Sequence, residues 1–197
     1  MVTAAPPRSL GAAELAAGVA ELAPGLVGCT LLVDGVGGTI VETERYQHDD
    51  PASHSFRGPR GRAAIMFGPG GVLYVYRSYG IHWCANVVCG PEGSGEAVLL
   101  RAIAPERGVD AMRARRGEVP DRLLGSGPGR LTQALGIDAA LDGAPIGAPG
   151  GRIEILPRAD EVDLLVGPRI GISKAVDAPW RFGLAGSPHL SRPFPRA

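Results

Sequence analysis

The fold is constrained most by residues 72–88, VLYVYRSYGIHWCANVV, in which two strand-forming runs surround a short turn. Residues 72–76 and 81–88 are rich in β-branched and aromatic side chains, and residues 77–80 separate them. Such runs on either side of a glycine-containing turn are typical of an antiparallel hairpin. The sequence therefore predicts a hairpin with Tyr79 near its tip.

Frequent turns are expected elsewhere, because glycine and proline contribute 30 and 18 of the 197 residues. This composition argues against a helical bundle. Periodicity and breaker residues predict helices at 9–22, 105–116 and 128–135, the last capped by Ser126. Strands are predicted at 30–33, 38–43 and 97–102, and short strands after Gly143. Residues 48–61 are predicted to form a polar loop. Neither a repeat nor a linker interrupts the pattern, so we expect a single domain over residues 1–197, with residues 1–8 flexible.

Three side chains, Glu42, Glu44 and Tyr46, occupy alternate positions of the segment VETERY. In a strand they would share one face. A rigidly held carboxylate beside an aromatic ring suits a general base acting on a stacked substrate, but the same pattern also fits an exposed face whose acids do no chemistry. Arg101 follows four apolar residues and needs a carboxylate partner, which Glu42 or Glu44 could supply. Such a pair could hold a water molecule or be a simple buried ion pair.

The hairpin carries three of the four tyrosines, together with His82 and Trp83. An aromatic cluster of this kind can be core, or it can be a surface that stacks on flat rings such as nucleobases. Tyr79 at the tip could wedge between stacked bases, as apolar side chains do in proteins that bend DNA, or it could pack into the core. His54, on the polar loop, is either a hydrogen-bonded structural residue or part of a site.

Metal and disulfide chemistry have no clear signature in this sequence. The three cysteines form no CxxC pair and the four histidines show no HExxH spacing, so we expect buried free thiols, no metal and no cofactor. No apolar run approaches the roughly 20 residues of a membrane helix. The first residues also lack the pattern of a secretory signal, so a cytosolic protein is expected.

The formal net charge is zero, yet arginines gather around residues 40–54 and 74–86, at Arg57, Arg60, Arg62 and Arg77. A guanidinium presents a planar fork of donors that matches phosphate oxygens, so these four are candidate phosphate contacts. A solvated charged face is the other interpretation. Lys174 is the only lysine in the chain.

The segments VETERY, DDPASH, MFGPGGVLYVYRSYGIHWCANVV, AVLLRAIAP, SGPGRLTQALGI, PRIGI and PWRF occur in the order of the alkyladenine (3-methyladenine) DNA glycosylases. The chain resembles a bacterial member of that family from about residue 15 to residue 191. The resemblance implies an α+β fold with a curved antiparallel β-sheet, surrounding helices and a protruding, DNA-inserting β-hairpin. It further implies an enzyme that flips alkylated or deaminated purines out of double-stranded DNA and hydrolyses the N-glycosidic bond. A monomer is the default expectation.

The resemblance also implies roles for individual residues. Glu44 would be the general base, and Arg101 would help it to hold the attacking water and lower its pKa. The base pocket would contain Tyr46, His54, Tyr76 and Asn86, the last excluding normal bases, while Tyr79 would fill the gap left by the flipped nucleotide. Because Lys174 is far from these motifs in sequence, hydrolysis is expected rather than attack by an amine.

This chain departs from the family pattern at three places. VETERY stands for the usual VETEAY, with Arg45 expected to face away from Glu44, and the segment between Tyr46 and His54 is one residue shorter than usual. The residues after Gly58 read PRGRA rather than PTPRN, which keeps Arg62. Two alternatives remain open: a lesion-binding protein of the same fold with little catalysis, and a carbohydrate hydrolase that uses Glu42 and Glu44 as its acid and base.

Overall fold

Two long strands, each with a continuous run of buried residues, form the centre of the sheet. Strand β2 (Val36–Tyr46) pairs antiparallel with β5 (Glu96–Arg107), and the pairing is interrupted by register shifts on both sides of Glu42. Such shifts bend a strand and change the direction of its side chains. On its other edge, β2 pairs with β1 (Thr30–Val33) before Ile40 and with β8 (Arg181–Leu184) after it.

The computed structural model describes residues 8–195, and within them eight strands form one curved sheet in which all strand pairs are antiparallel. Its main path is β3-β4-β5-β2-β1-β6, and β8 joins β2 to β7. The remaining strands are β3 (Leu73–Ser78), β4 (His82–Cys89), β6 (Ile153–Leu156) and β7 (Leu164–Gly167). Four α-helices pack around the sheet: α1 (Ala12–Leu15), α2 (Val19–Gly25), α3 (Val109–Arg116) and α4 (Pro128–Leu135). The α+β class and the curved antiparallel sheet are confirmed.

The predicted hairpin is confirmed, with β3 and β4 as its strands. Its turn is closed by a hydrogen bond from the Ile81 N–H to the Ser78 carbonyl, and the φ angles of Tyr79 and Gly80 are 49° and 69°. Two positive φ angles match the twist of hairpin strands, but a bulky residue rarely adopts one. The side chain of Tyr79 is 86% exposed and that of Ile81 is 74% exposed. Tyr79 is therefore not a core residue, and its unfavourable positive φ angle occurs at the exposed tip of the hairpin.

Several predicted helix boundaries are wrong. The helix expected at 9–22 is two helices, because the chain breaks before Val19 and the Glu96 carboxylate accepts the Val19 N–H at 2.7 Å. Residues 105–107 continue β5, so α3 begins only at Val109, after Gly108 turns the chain with a φ of 64°. Helix α4 has the predicted bounds, but Ser126 does not cap it and donates instead to the Leu190 carbonyl.

The remaining expectations concern the cysteines, the first eight residues and membrane-spanning helices. Cys29, Cys84 and Cys89 are buried and free, as predicted. Of the segment expected to be flexible, residues 1–7 lie outside the described residues, whereas Arg8 pairs with Glu14 at 2.7 Å. Among residues 8–195, no helix combines the length and hydrophobicity needed to cross a bilayer.

Candidate active site

A cavity of about 680 Å³ opens beside the hairpin. The hairpin forms one side, residues 51–54 of the polar loop form a second, and residues 170–174 form a third. Eight of the residues singled out in the sequence line it: Tyr46, His54, Arg62, Tyr76, Arg77, Tyr79, Asn86 and Arg101. Arg57 and Arg60 are exposed but lie outside this lining. The structure therefore brings most of the predicted set together around one space.

Glu44 is fully buried immediately behind the cavity wall. Its Oε2 accepts a hydrogen bond from the Tyr46 hydroxyl at 2.9 Å, and its Oε1 accepts the Ile170 N–H at 2.8 Å. The Arg101 guanidinium lies 3.3 Å from Oε1. All three partners line the cavity. The carboxylate is thus fixed in direction by residues that face the cavity, and the interpretation of β2 as an exposed strand face is wrong.

The expected pKa of Glu44 needs correction. Burial raises the pKa of this carboxyl, and it outweighs the lowering by Arg101, the Ile170 N–H and the Tyr46 hydroxyl. Removing a carboxylate from water disfavours its charged form, and one nearby guanidinium only partly offsets that effect. Burial and the neighbouring Glu44 also hold the pKa of Tyr46 well above its usual range, so its hydroxyl remains a proton donor to the carboxylate.

Glu42 has a different environment from Glu44, although both are fully buried. Its two oxygens accept four hydrogen bonds: from Arg101 Nε at 3.0 Å, Arg181 at 3.1 Å, the Ser191 N–H at 2.6 Å and the Ser191 hydroxyl at 2.8 Å. Neither acid lines the cavity itself, but all three Glu44 partners do, whereas the Glu42 partners Arg181 and Ser191 do not. With four donors on its two oxygens, two of them guanidinium groups, this side chain is fully occupied by the protein itself. Glu42 therefore anchors Arg101, and the arrangement does not supply the acid and base pair of a carbohydrate hydrolase.

The aromatic wall of the cavity is built from the hairpin and the polar loop. The His54 ring lies edge-on to Tyr76, with ring centroids 4.5 Å apart, and His54 Nδ1 is 2.9 Å from the Tyr74 hydroxyl. Burial and the nearby Arg62 lower the pKa of His54, so the ring is neutral at neutral pH. Asn86 donates to the Tyr74 carbonyl at 3.1 Å. These contacts give the cavity a flat apolar side with a few fixed polar atoms, as a site for a planar ligand requires.

The segment 170–174 and Arg192 belong to the cavity wall, but only the motif PRIGI had marked this region in the sequence. Lys174 was expected to lie away from the site, and this expectation is wrong, because Lys174 lines the same cavity. Sequence separation hides this proximity. Arg45 does face away from Glu44, as expected, with its guanidinium 4.3 Å from the centre of the Trp180 ring.

Comparison with known proteins agrees with these features. The family described as Methylpurine-DNA glycosylase (MPG) matches residues 13–188. A Nitrosospira multiformis relative is 59% identical over 92% of this chain and 93% of its own length. A Rhodopseudomonas palustris relative is 61% identical over 89% of this chain and 87% of its own length. Both carry the provisional name 3-methyladenine DNA glycosylase. The chain belongs to the methylpurine-DNA glycosylase family.

Proposed function

We propose that this protein is a DNA repair glycosylase that flips an alkylated or deaminated purine out of duplex DNA and hydrolyses its N-glycosidic bond. The observation that carries the proposal is the buried Glu44, held by three partners at the back of an aromatic cavity beside an exposed tyrosine. Unstacking a base costs a few kcal/mol. Stacking in the cavity and insertion of Tyr79 offset that cost.

Glu44 acts as the general base in this proposal. Its Oε2 accepts a single hydrogen bond, from Tyr46, and a small shift of that ring lets it accept a second one from water. The water attacks C1′ of the deoxyribose and gives its proton to Glu44, while the purine leaves with the electrons of the glycosidic bond. The ionised carboxylate also stabilises the positive charge that develops on the sugar. A purine alkylated on a ring nitrogen is positively charged and leaves as a neutral base, so no general acid is required. Hypoxanthine is uncharged and must also take up a proton from solvent as it leaves.

The experiment that tests the proposal is single-turnover release of free base from methylated duplex DNA and from a duplex containing hypoxanthine. Release of 3-methyladenine or hypoxanthine would establish the activity and identify the substrate. Tight binding to damaged duplex without release would instead favour a lesion-binding protein of the same fold. No binding to either duplex would contradict both.

Substitution of Tyr79 by Ala is expected to weaken binding to damaged duplex and slow base release without lowering the melting temperature. The side chain is 86% exposed, so its removal leaves no cavity in the fold. Stacking on bases is worth about 1–3 kcal/mol, which corresponds to a loss of about 5- to 150-fold in affinity. Fluorescence anisotropy with labelled duplex measures the effect. Val166→Ala, which truncates an exposed apolar residue on β7, is the matched control and should bind normally.

Reduction with borohydride during turnover is expected to trap no protein–DNA adduct. We propose hydrolysis by water, and an adduct would require an amine to form an imine with C1′. Lys174 is the one lysine and it lines the cavity, so the test is meaningful for this chain. Denaturing electrophoresis of the reduced mixture measures the adduct. A band that disappears in Lys174→Gln would show that the enzyme also attacks with an amine.

A further inference from the structure

The two loop walls of the cavity are joined behind its surface by an ion pair. Arg169 binds Asp50 with both arms of its guanidinium, one of them at 2.9 Å, and both side chains are fully buried. The two residues are 119 positions apart in the chain. Each is the immediate neighbour of a segment that lines the cavity, residues 51–54 for Asp50 and residues 170–174 for Arg169. The pair therefore fixes the distance between two walls that have no strand pairing to each other.

On the Arg169 side, the ion pair reaches the partners of Glu44. Ile170, whose N–H binds Glu44 at 2.8 Å, is the next residue in the chain. The Arg169 guanidinium also lies 4.6 Å from the centre of the Tyr46 ring, the ring whose hydroxyl binds the other oxygen of Glu44. A further bond from Arg169 to the Arg45 carbonyl, at 3.0 Å, ties it to β2. Arg169 thus supports two of the three groups that orient the carboxylate.

On the Asp50 side, the same pair organises the loop that carries His54. Asp50 Oδ1 accepts the Ala52 N–H at 3.0 Å, and the Asp50 carbonyl accepts the Ser53 N–H at 2.9 Å. These two bonds shape the turn that leads directly into His54 and the aromatic wall. The ion pair, with both side chains fully buried, holds this loop against the segment that follows Arg169.

We infer that Asp50 and Arg169 form a clamp that positions Glu44 and His54 on opposite sides of the base pocket. Arg169 reaches Glu44 only through Ile170 and Tyr46, and Asp50 acts through the turn before His54, so both are positioning residues rather than catalytic ones. Displacement of reacting groups by about 1 Å can slow an enzyme about 100-fold. The inference rests on the proposed function, because the rate of base release is the quantity that the clamp controls.

The test compares Asp50→Asn, Arg169→Gln and the double variant by single-turnover base release at saturating enzyme. We expect the rate of base release to fall about 100-fold in each single variant. The double variant should be no slower than the worse single variant, because either substitution alone already breaks the ion pair. Affinity for the damaged duplex should change much less than the rate. Arg169→Lys, which keeps the charge but not the two-armed contact, should be intermediate.

A purely electrostatic role or a purely stabilising role for the pair would give different results. If Arg169 acted only through its charge near Glu44, Asp50→Asn would leave the rate unchanged, because the charge remains. If the pair served only stability, a core truncation far from the cavity, such as Ile155→Ala on β6, would slow release to the same extent. Asp34→Asn breaks an exposed Asp–Arg pair with Arg152 and should have no effect.

Wild-type rates in both Asp50→Asn and Arg169→Gln, for protein shown to be folded by circular dichroism, would overturn the clamp. So would independent, multiplying losses in the double variant. Absence of base release by the wild-type protein would instead contradict the proposed function, so the two failures are distinguishable.

Discussion

Glu44→Gln is expected to abolish base release while leaving the affinity for damaged duplex nearly unchanged. The amide has the shape of the carboxylate but can neither accept a proton from water nor stabilise a cationic sugar. Loss of a general base alone costs about 10²- to 10⁴-fold in rate, and loss of the charge adds to it. Single-turnover release and anisotropy on the same duplex measure the two quantities. Glu92→Gln, at an exposed glutamate in the turn before β5, is the control.

The pH profile of the wild-type protein gives an independent check on Glu44. Because burial raises the pKa of its carboxyl, base release should fall on the acid side at a pH above the ordinary range of a glutamate. The residual rate of Glu44→Gln should not show this acid limb. Retention of substantial activity in Glu44→Gln, with the wild-type profile, would assign the general base to another residue.

Arg101→Gln is expected to destabilise the fold and to suppress base release. This guanidinium contacts both buried acids, Glu42 and Glu44, and its removal leaves their charges without the cation between them. Breaking a buried ion pair by removing one partner costs about 3–5 kcal/mol. Urea denaturation measures the free energy of unfolding. Glu42 keeps Arg181, so the loss should be smaller at low pH, where protonation of Glu44 removes the buried charge that Arg101 had compensated.

The control for Arg101 is Arg113→Gln, which removes an exposed arginine that binds two aspartates. Exposed ion pairs contribute about 0–1 kcal/mol, so its free energy of unfolding should stay close to that of the wild-type protein. A loss below about 1 kcal/mol for Arg101→Gln would contradict a stabilising role of Arg101 between the two acids.

The parts of the site that depend on local pattern could be predicted from the sequence. Alternation along β2 puts Glu44 and Tyr46 on one face, and they do form a hydrogen bond. A charge after four apolar residues indicated that Arg101 needs an acid, and it has two. The turn at Tyr79 follows from the runs that flank it.

The parts that depend on distant contacts could not be predicted in this way. Glu42 and Glu44 look equivalent in the sequence, but Arg181 and Ser191 occupy the oxygens of Glu42, and other partners bind Glu44. The sign of the pKa shift of Glu44 depends on depth of burial, which periodicity does not measure. The proximity of Lys174 to the site likewise depends on how the chain returns to the cavity.

The buried ion cluster formed by Glu42, Glu44, Arg101 and Arg181 also affects how the protein folds. Glu42 takes its partners from residues 59, 139 and 149 positions further along the chain. Contacts between residues so far apart form late and slow the folding of β-rich domains, because a long loop must close first. Until those partners are in place, the carboxylates of Glu42 and Glu44 lie in the sheet without cations to balance their charge. We therefore expect a refolding chain to acquire its sheet before its activity, and the last kinetic phase to coincide with closure of this cluster.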